Sequence, residues 1–306
     1  MSMVDYPLRS LMFVPAHNLK LMNNAIKTDA DVLLLDLEDS VQPKSNKEVA
    51  RKNIVDFIKD NKLINHKVFP RINDRESGEL LRDVNELTID GVEGFMYPKS
   101  YTSDDICFID KLLEAIEYQK GYDIGRFKLI PLIETTSAVL NADSICKASN
   151  RIIAIAFGCE DYLMDLEGIN DDNASTLFTA RSLISMAARS QKVIPIDTVH
   201  IKVHDLEDLE KNIITARNLG FEGMLVLNPK ELALGHRYYS PSEEEVNNAK
   251  QILDTYEETK KIGAAVAIVN GKFIGPPFVK KAKKIIEKQK KIQENDEYKS
   301  RIRSLE

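Results

Sequence analysis

No apolar run in this 306-residue chain approaches the roughly 20 residues that span a bilayer, so no membrane-crossing helix is expected. Cysteine is scarce. Cys107, Cys146 and Cys159 are odd in number and lack metal-ligand spacing, which argues against a disulfide framework or a zinc site and for a reduced, cytoplasmic setting. The opening MSMVDYPLRS has neither the basic start nor the apolar core of a secretory signal. Positive charge is not in excess. Lys and Arg number 42 against 48 Asp and Glu, and the net charge of −6 speaks against a nucleic-acid partner. A Gly-rich phosphate loop and a Ser-His-Asp signature are also missing. Tryptophan is absent, which excludes nothing.

What the chain does have is eight short apolar runs, most of them closed by a polar or charged residue. They are SLMFVP (10–15), VLLLDLED (32–39), KVFPRIN (67–73), GFMYPK (94–99), LIPLIE (129–134), IIAIAFG (152–158), IPIDTV (194–199) and GMLVLN (223–228). Runs this short and rich in Val, Ile and Leu read as strands buried on both faces. The stretches between them are long enough for crossover helices. Residues 43–61, 102–119 and 206–221 carry apolar residues at helical spacing, the second behind a Thr/Ser cap and the third ahead of an Asn218/Gly220 stop. Eight such units predict an α/β fold, a (β/α)8 TIM barrel over residues 1–237.

Residues 238–306 lie outside that count and predict a C-terminal helical and hairpin extension, suited to a lid or an oligomer contact. A helix is expected over 238–261. A hairpin turning at Asn270-Gly271 should follow, then a proline step and a basic helix. The last charge-rich residues read as a solvated helix end or a disordered tail.

In a barrel of this kind the active site lies at the C-terminal ends of the strands. The candidates are therefore Glu38, Asp39, Arg71, Asn73, Lys99, Glu134, Asp161, Asp197 and Asn228. Glu134 and Asp161 come from neighbouring strands, and two carboxylates with room for water and substrate oxygens suit Mg²⁺. Helix capping or a surface ion pair is the competing use of each. Arg71 can hold a carboxylate in a bidentate fork or pair with Glu38 or Asp39, and the two uses are compatible. Glu38 and Asp39 can also hold metal-bound waters. Lys99 can neutralise a phosphate or carboxylate, or form a structural salt bridge. His17 is either a proton carrier or a hydrogen-bonded loop histidine. Cys159 reads as a small buried hydrophobe more than as a reactive thiol.

The motifs RSLMFVP (9–15), LLLDLEDSV (33–41), PRIN (70–73), PLIET (131–135), FGCEDY (157–162), IDTV (196–199), LGFEGMLVLNP (219–229) and NGK…PP (270–277) occur in this order. Over about residues 9–287 the chain resembles the citrate lyase beta subunit and its stand-alone relatives in the HpcH/HpaI aldolase group, the malyl-CoA and citramalyl-CoA lyases. The resemblance implies a Mg²⁺-dependent barrel, often a homotrimer, that cleaves a 3-hydroxy-acyl thioester into an acetyl-type thioester and an oxo-acid. It implies Glu134 and Asp161 as metal ligands, and Arg71, Glu134, Arg9 and Lys99 on the substrate side. Arg71, Glu38 and Asp39 are then the catalytic group. An acyl-CoA or acyl-carrier-protein thioester is the expected substrate, with citrate lyase alpha and gamma subunits as candidate partners.

The chain departs from the pattern at three places. Ala16 replaces a common glycine. Met224-Leu225 and Asn228-Pro229-Lys230-Glu231 replace common alternatives. Gly275 stands where relatives commonly carry an aspartate that serves as acid or base. Glycine cannot transfer a proton, so a thioesterase on the same substrates and a non-catalytic subunit stand beside the lyase as alternative readings.

Overall fold

The computed structural model describes residues 4–60, 66–169, 175–261, 267–269 and 272–304. The first strands and helices are β1 (Ser10–Pro15), α1 (Leu19–Ala25), β2 (Val32–Asp36), α2 (Asn46–Asp60), β3 (Lys67–Val68), α3 (Leu80–Leu87), β4 (Gly94–Tyr97) and α4 (Ser103–Lys120). There follow β5 (Lys128–Ile133), α5 (Thr136–Leu140), α6 (Ala142–Lys147), β6 (Ala154–Phe157), α7 (Cys159–Leu166), α8 (Ser175–Ser190), β7 (Ile194–Asp197), α9 (Leu206–Asn218), β8 (Gly223–Val226) and α10 (Leu232–Tyr239). Last come α11 (Glu243–Lys261), β9 (Ala267–Val269), β10 (Lys272–Ile274) and α12 (Pro276–Arg303).

Strands β1–β8 form one parallel sheet in the order β3-β2-β1-β8-β7-β6-β5-β4. The β3 run is cut to two residues because Pro70 has no amide hydrogen to donate. The chain nonetheless stays in register past it. Arg71 N donates to Leu35 O at 3.0 Å, Met96 N to Pro70 O at 2.9 Å and Ile72 N to Met96 O at 3.2 Å. These bonds, with the Arg71 bridges to Asp36 and Met96, bring the two edges together as a (β/α)8 barrel. Each of the eight predicted runs carries one strand.

The barrel core is aliphatic. Leu33, Leu34, Leu35, Ile130, Ile133, Ile155 and Ile196 are completely shielded from solvent, each such side chain stabilising by about 1.5–3 kcal/mol. Strands covered on both faces need apolar residues at every position, which is why the runs show no alternation. The helices start and stop where their caps dictate. Thr102 and Asp105 form a reciprocal capping box at the head of α4, and Gly121 closes it at φ 76°.

The chain divides into two compact units, one built on Leu8–Gly235 and one on His236–Glu306 that Asp5–Pro7 join. The division falls within α10. In the second unit β9 and β10 pair antiparallel, with Phe273 opposite Ile268. Val269, Ile274, Val279 and Ala282 pack with Ala249 and Ile252 of α11. The expected turn at Asn270-Gly271 lies outside the described residues. Pro276 and Pro277 occupy the first helical positions of α12, where a missing amide hydrogen costs nothing. The charge-rich end continues this helix to Arg303. Among the described residues no helix is long and apolar enough to cross a membrane.

Candidate active site

Parallel strands aim their C-terminal ends at one rim, and the acidic and basic residues just past β2, β3, β4, β5 and β6 meet there. Arg71 is the hub. Its Nε donates to Asp36 Oδ1 at 2.6 Å and Nη2 to Asp36 Oδ2 at 2.8 Å, a bidentate fork. Nη1 stands 2.9 Å from Glu38 Oε2, within ion-pair distance but off a hydrogen-bond line, and donates to Asp39 Oδ2 at 3.3 Å. The guanidinium carbon lies 4.7 Å from the centre of the Phe13 ring. Asp36 is fully used, since it also accepts the amides of Glu38 at 3.0 Å and Ser40 at 3.1 Å. Burial acts to raise the Asp36 carboxyl, but the Arg71 charge and these hydrogen bonds outweigh it and hold the group below its ordinary range. For Arg71, burial acts against the charge, and Asp36, Glu38 and Asp39 together override it and keep the guanidinium charged.

Glu134 follows the last residue of β5 and is 2% exposed. Its Oε1 accepts the main-chain amide of Lys99 at 2.6 Å. Burial, with repulsion from Glu38 and Asp161, pushes its carboxyl up to about 8, against the Lys99 amide and Arg71. Glu38 is pushed up to about 7, by burial first and then by Asp39 and Asp36, while Arg71 and Lys99 oppose the rise. Lys99 Nζ donates to Asp74 Oδ2 at 2.9 Å and lies 3.4 Å from Glu38 Oε1. Asp161 sits in the first turn of α7, half-buried. A pocket of about 460 Å³ opens between these groups, lined by Asp36, Asp39, Arg71, Glu134 and Asp161 on its polar side and by Phe13, Leu132, Val199, Leu225 and Leu227 on its apolar side.

The site thus gathers Glu38, Asp39, Arg71, Lys99, Glu134 and Asp161. It does not gather Arg9. That residue precedes β1 and so lies at the opposite rim, where Nε and Nη2 grip Asp31 at 2.9 Å each. The substrate-side expectation for Arg9 is corrected on that ground: strand direction, not charge, decides which rim a residue serves. Asn73 is tied by its amide and side chain to Asp83, Asp197 grips Arg181 at 2.9 Å twice, and Asn228 accepts Lys230 N at 3.0 Å at the start of a short turn. Cys159 is a buried thiol pushed up to about 12 by that burial. His17 Nδ1 is enclosed without a hydrogen-bond partner among the described residues. Sequence reasoning missed Asp36 and Asp74, the residues that hold Arg71 and Lys99.

Glu134 and Asp161 suit a hard divalent cation. Both offer carboxylate oxygens to one pocket, and their mutual repulsion is what such a cation relieves. Among the described residues no group of three or more His, Cys, Asp or Glu side chains forms a ready cage. A cation held by these two carboxylates would take its remaining oxygens from water or substrate, the habit of Mg²⁺.

The family model for HpcH/HpaI aldolase/citrate lyase matches residues 9–229. The chain belongs to this family. Citrate lyase subunit beta of Haemophilus influenzae is 31% identical over 282 residues, 92% of this chain and 97% of that protein. The L-malyl-CoA/beta-methylmalyl-CoA lyase of Rhodobacter capsulatus is 28% identical, covering 91% of this chain and 93% of that one. Among solved structures, CitE of Mycobacterium tuberculosis in complex with magnesium, acetoacetate and coenzyme A shares the fold at a TM-score of 0.74 and 22% identity, covering 94% of this chain and 99% of that one. As a member of the HpcH/HpaI aldolase/citrate lyase family the chain is a lyase.

Proposed function

We propose that this lyase is Mg²⁺-dependent and cleaves a carbon–carbon bond in a 3-hydroxy-acyl thioester of the citryl, malyl or citramalyl kind, giving an acetyl-type thioester and an oxo-acid. The observation that carries the reading is the rim itself. An oriented guanidinium and the carboxylates of Glu134 and Asp161 line one pocket together with apolar side chains, and Glu38, a carboxyl with a near-neutral pKa, stands against the same guanidinium. Relatives support it: CitE of Mycobacterium tuberculosis binds magnesium with acetoacetate and coenzyme A, and the citrate lyase beta subunit of the same organism binds oxaloacetate and magnesium.

Asp36 takes two of the five Arg71 donors and Asp39 a third, and with Arg71 lining the pocket the remaining two can hold the carboxylate of the oxo-acid part. Glu134 and Asp161 would hold Mg²⁺, which supplies Lewis-acid polarisation of the oxo-acid oxygen. Glu38, pushed up to about 7, is a group on this rim able to accept the hydroxyl proton at neutral pH. As that proton leaves, the carbon–carbon bond breaks to give the oxo-acid carbonyl, and the departing thioester enolate takes a proton at carbon. Lys99, between Glu38 and Asp74, offsets the negative charge of the rim. The carrier is coenzyme A or an acyl-carrier protein, and a homotrimer is the proposed assembly, with citrate lyase alpha and gamma subunits as candidate partners.

The test offers citryl-, malyl- and citramalyl-thioesters on both carriers and follows the products by NMR. Oxo-acid together with acetyl-type thioester supports the lyase. Free hydroxy-acid and free thiol would mean a thioesterase, and no turnover with no Mg²⁺ uptake would mean a subunit without catalysis. Arg71→Lys keeps the charge and loses the fork, and it should lose about 2–4 kcal/mol of transition-state stabilisation.

A further inference from the structure

Among the described residues, Lys99, Glu167 and Lys192 are the residues other than glycine at positive φ. Glu167 caps the end of α7, and Lys192 lies in the turn just past α8, places where a left-handed residue ends a helix. Lys99 has no such excuse. It follows strand β4 by two residues, with φ at 49°. Left-handed backbone is unfavourable for a residue with a side chain, and it persists where the surroundings hold it in place. The peptide that enters this turn carries one amide into the site, and the turn takes the side chain and the following chain away from it. Lys99 N points at Glu134 Oε1, 2.6 Å away.

The other side of Glu134 is kept open. A Cβ added at Gly158 would stand 2.8 Å from Glu134 Cβ and 3.1 Å from Oε2. The Glu134 carboxylate is therefore held by a main-chain donor on one oxygen and by absent bulk beside the other. The Lys99 ammonium reaches elsewhere, to Asp74 and Glu38.

We infer that Lys99 is a positioning residue whose main chain, more than its charge, sets Glu134 in the rotamer that binds the cation, with Gly158 leaving the room that rotamer needs. The inference rests on reading Glu134 as a cation ligand. It separates the two parts of Lys99. Lys99→Gly and Lys99→Asn remove the ammonium but accept the left-handed angle and keep the N–H. Lys99→Val keeps an N–H but resists the angle, because a β-branched residue is a severe outlier there. Gly158→Ala crowds Glu134 from the opposite side.

Mg²⁺ binding is measured by calorimetry on the full chain, beside melting curves of the metal-free variants that report folding. Lys99→Gly and Lys99→Asn should bind within about threefold of the parent chain or more tightly, since a positive charge has left the rim. Lys99→Val and Gly158→Ala should lose about 10–100-fold, the range for a disturbed ligand-orienting contact. Crystal structures of the metal-free variants should show Glu134 in place in the first pair and displaced in the second. Tenfold weakening in both Lys99→Gly and Lys99→Asn with Glu134 displaced, or parental binding in Lys99→Val with Glu134 unmoved, overturns the inference. A parent chain that takes up no Mg²⁺ would instead remove the metal reading, and the Glu134 positions in the metal-free crystals would still decide the role of Lys99.

Discussion

Arg51, Arg71 and Arg181 in the barrel are nearly sealed from water, and each lies within 2.9 Å of carboxylate oxygens. On α12, seven lysines and one glutamate fall within residues 280–291, and Lys280, Lys281, Lys283, Lys284 and Lys290 face solvent. The contrast teaches where charge is costly. A buried charge loses its water and depends wholly on its partner, so each barrel arginine comes with a matched acid. An exposed lysine keeps its water, so like charges can sit one turn apart at a cost of tenths of a kcal/mol. The candidate site is a place in the barrel where matching is incomplete: Glu134 and Glu38 are buried acids whose pKa values are driven up to about 8 and about 7.

The widest effect expected from that imbalance is a dependence on pH. Ionising Glu134 or Glu38 is harder in the folded protein than in the unfolded one, where carboxyls titrate near 4.5. Below that pH both are protonated in either state and the folded state bears no penalty. Above it the unfolded chain ionises freely while the folded one holds its protons, so stability falls as pH rises and the loss is complete once pH has passed about 7 and about 8. The metal-free protein should therefore show its melting temperature falling from pH 5 to pH 9. Mg²⁺ should restore it mainly at the alkaline end, because the cation binds the ionised form. A melting temperature that stays level in that window, with Mg²⁺ acting equally at pH 5 and pH 9, would remove the incomplete matching from the comparison.

Asp36→Asn comes next. It leaves the Arg71 guanidinium buried against a neutral amide, and breaking a buried pair in this way costs about 3–5 kcal/mol. Denaturant unfolding should show that loss, and turnover should fall further because the donors of Arg71 are no longer aimed. A cost below about 1 kcal/mol would place Asp36–Arg71 with the surface pairs and break the contrast between the units.

The sequence disclosed the fold more fully than the site. Doubly buried strands leave continuous apolar runs, so β1 matches its predicted run at both ends and β7 and β8 begin at theirs. The same logic led to Arg71 and Glu134 as residues closing a run. It missed Asp36 because that residue lies inside the run LLLDLED, where an acid reads as an interruption. The fact that makes it functional, a bidentate partner thirty-five residues away, comes from strand register across the sheet. Arg9 went wrong for the opposite reason. Its motif is informative, but an arginine ahead of a strand and one behind it look alike until the strand direction is fixed. The left-handed angle of Lys99 and the space beside Gly158 are backbone facts that no residue spacing reports.

A smaller effect with the opposite sign tests the α12 side of the comparison. Lys284 has Lys280 and Lys281 a turn before it and Lys288 a turn after, with Glu287 as its acidic neighbour. Lys284→Glu turns three repulsive pairs into attractive ones and one attractive pair into a repulsive one. At about 0.2–0.5 kcal/mol per pair each reversal is worth about 0.4–1 kcal/mol, and the net gain is about 0.8–2 kcal/mol. Thermal unfolding should show stabilisation that shrinks in high salt. Destabilisation by more than that amount would mean the lysine face is engaged as the barrel arginines are.

The smallest effect is expected at Gly275, where the resemblance of the sequence leads to the expectation of an aspartate. Gly275 is the N-cap of α12 with φ −119° and ψ −174°, extended backbone that any residue adopts. An added Cβ would find only Pro277 Cδ, at 4.0 Å. Aspartate is thus sterically welcome, and the amide of Phe278, which donates to the Gly275 carbonyl at 3.0 Å, is a donor its side chain can share, whereas Pro277 has none to give. Exchanging a glycine cap for aspartate is worth only a few tenths of a kcal/mol, so Gly275→Asp should raise the melting temperature slightly. Its effect on turnover distinguishes two ways of running the reaction. If Glu38 handles the hydroxyl proton, a new carboxylate at 275 changes kcat by less than about threefold, far from the 10²–10⁴ that a missing acid or base is worth. A gain of about a hundredfold or more would show that the proton belongs to residue 275, and that the barrel rim, for all its buried charge, lacks the group that moves it.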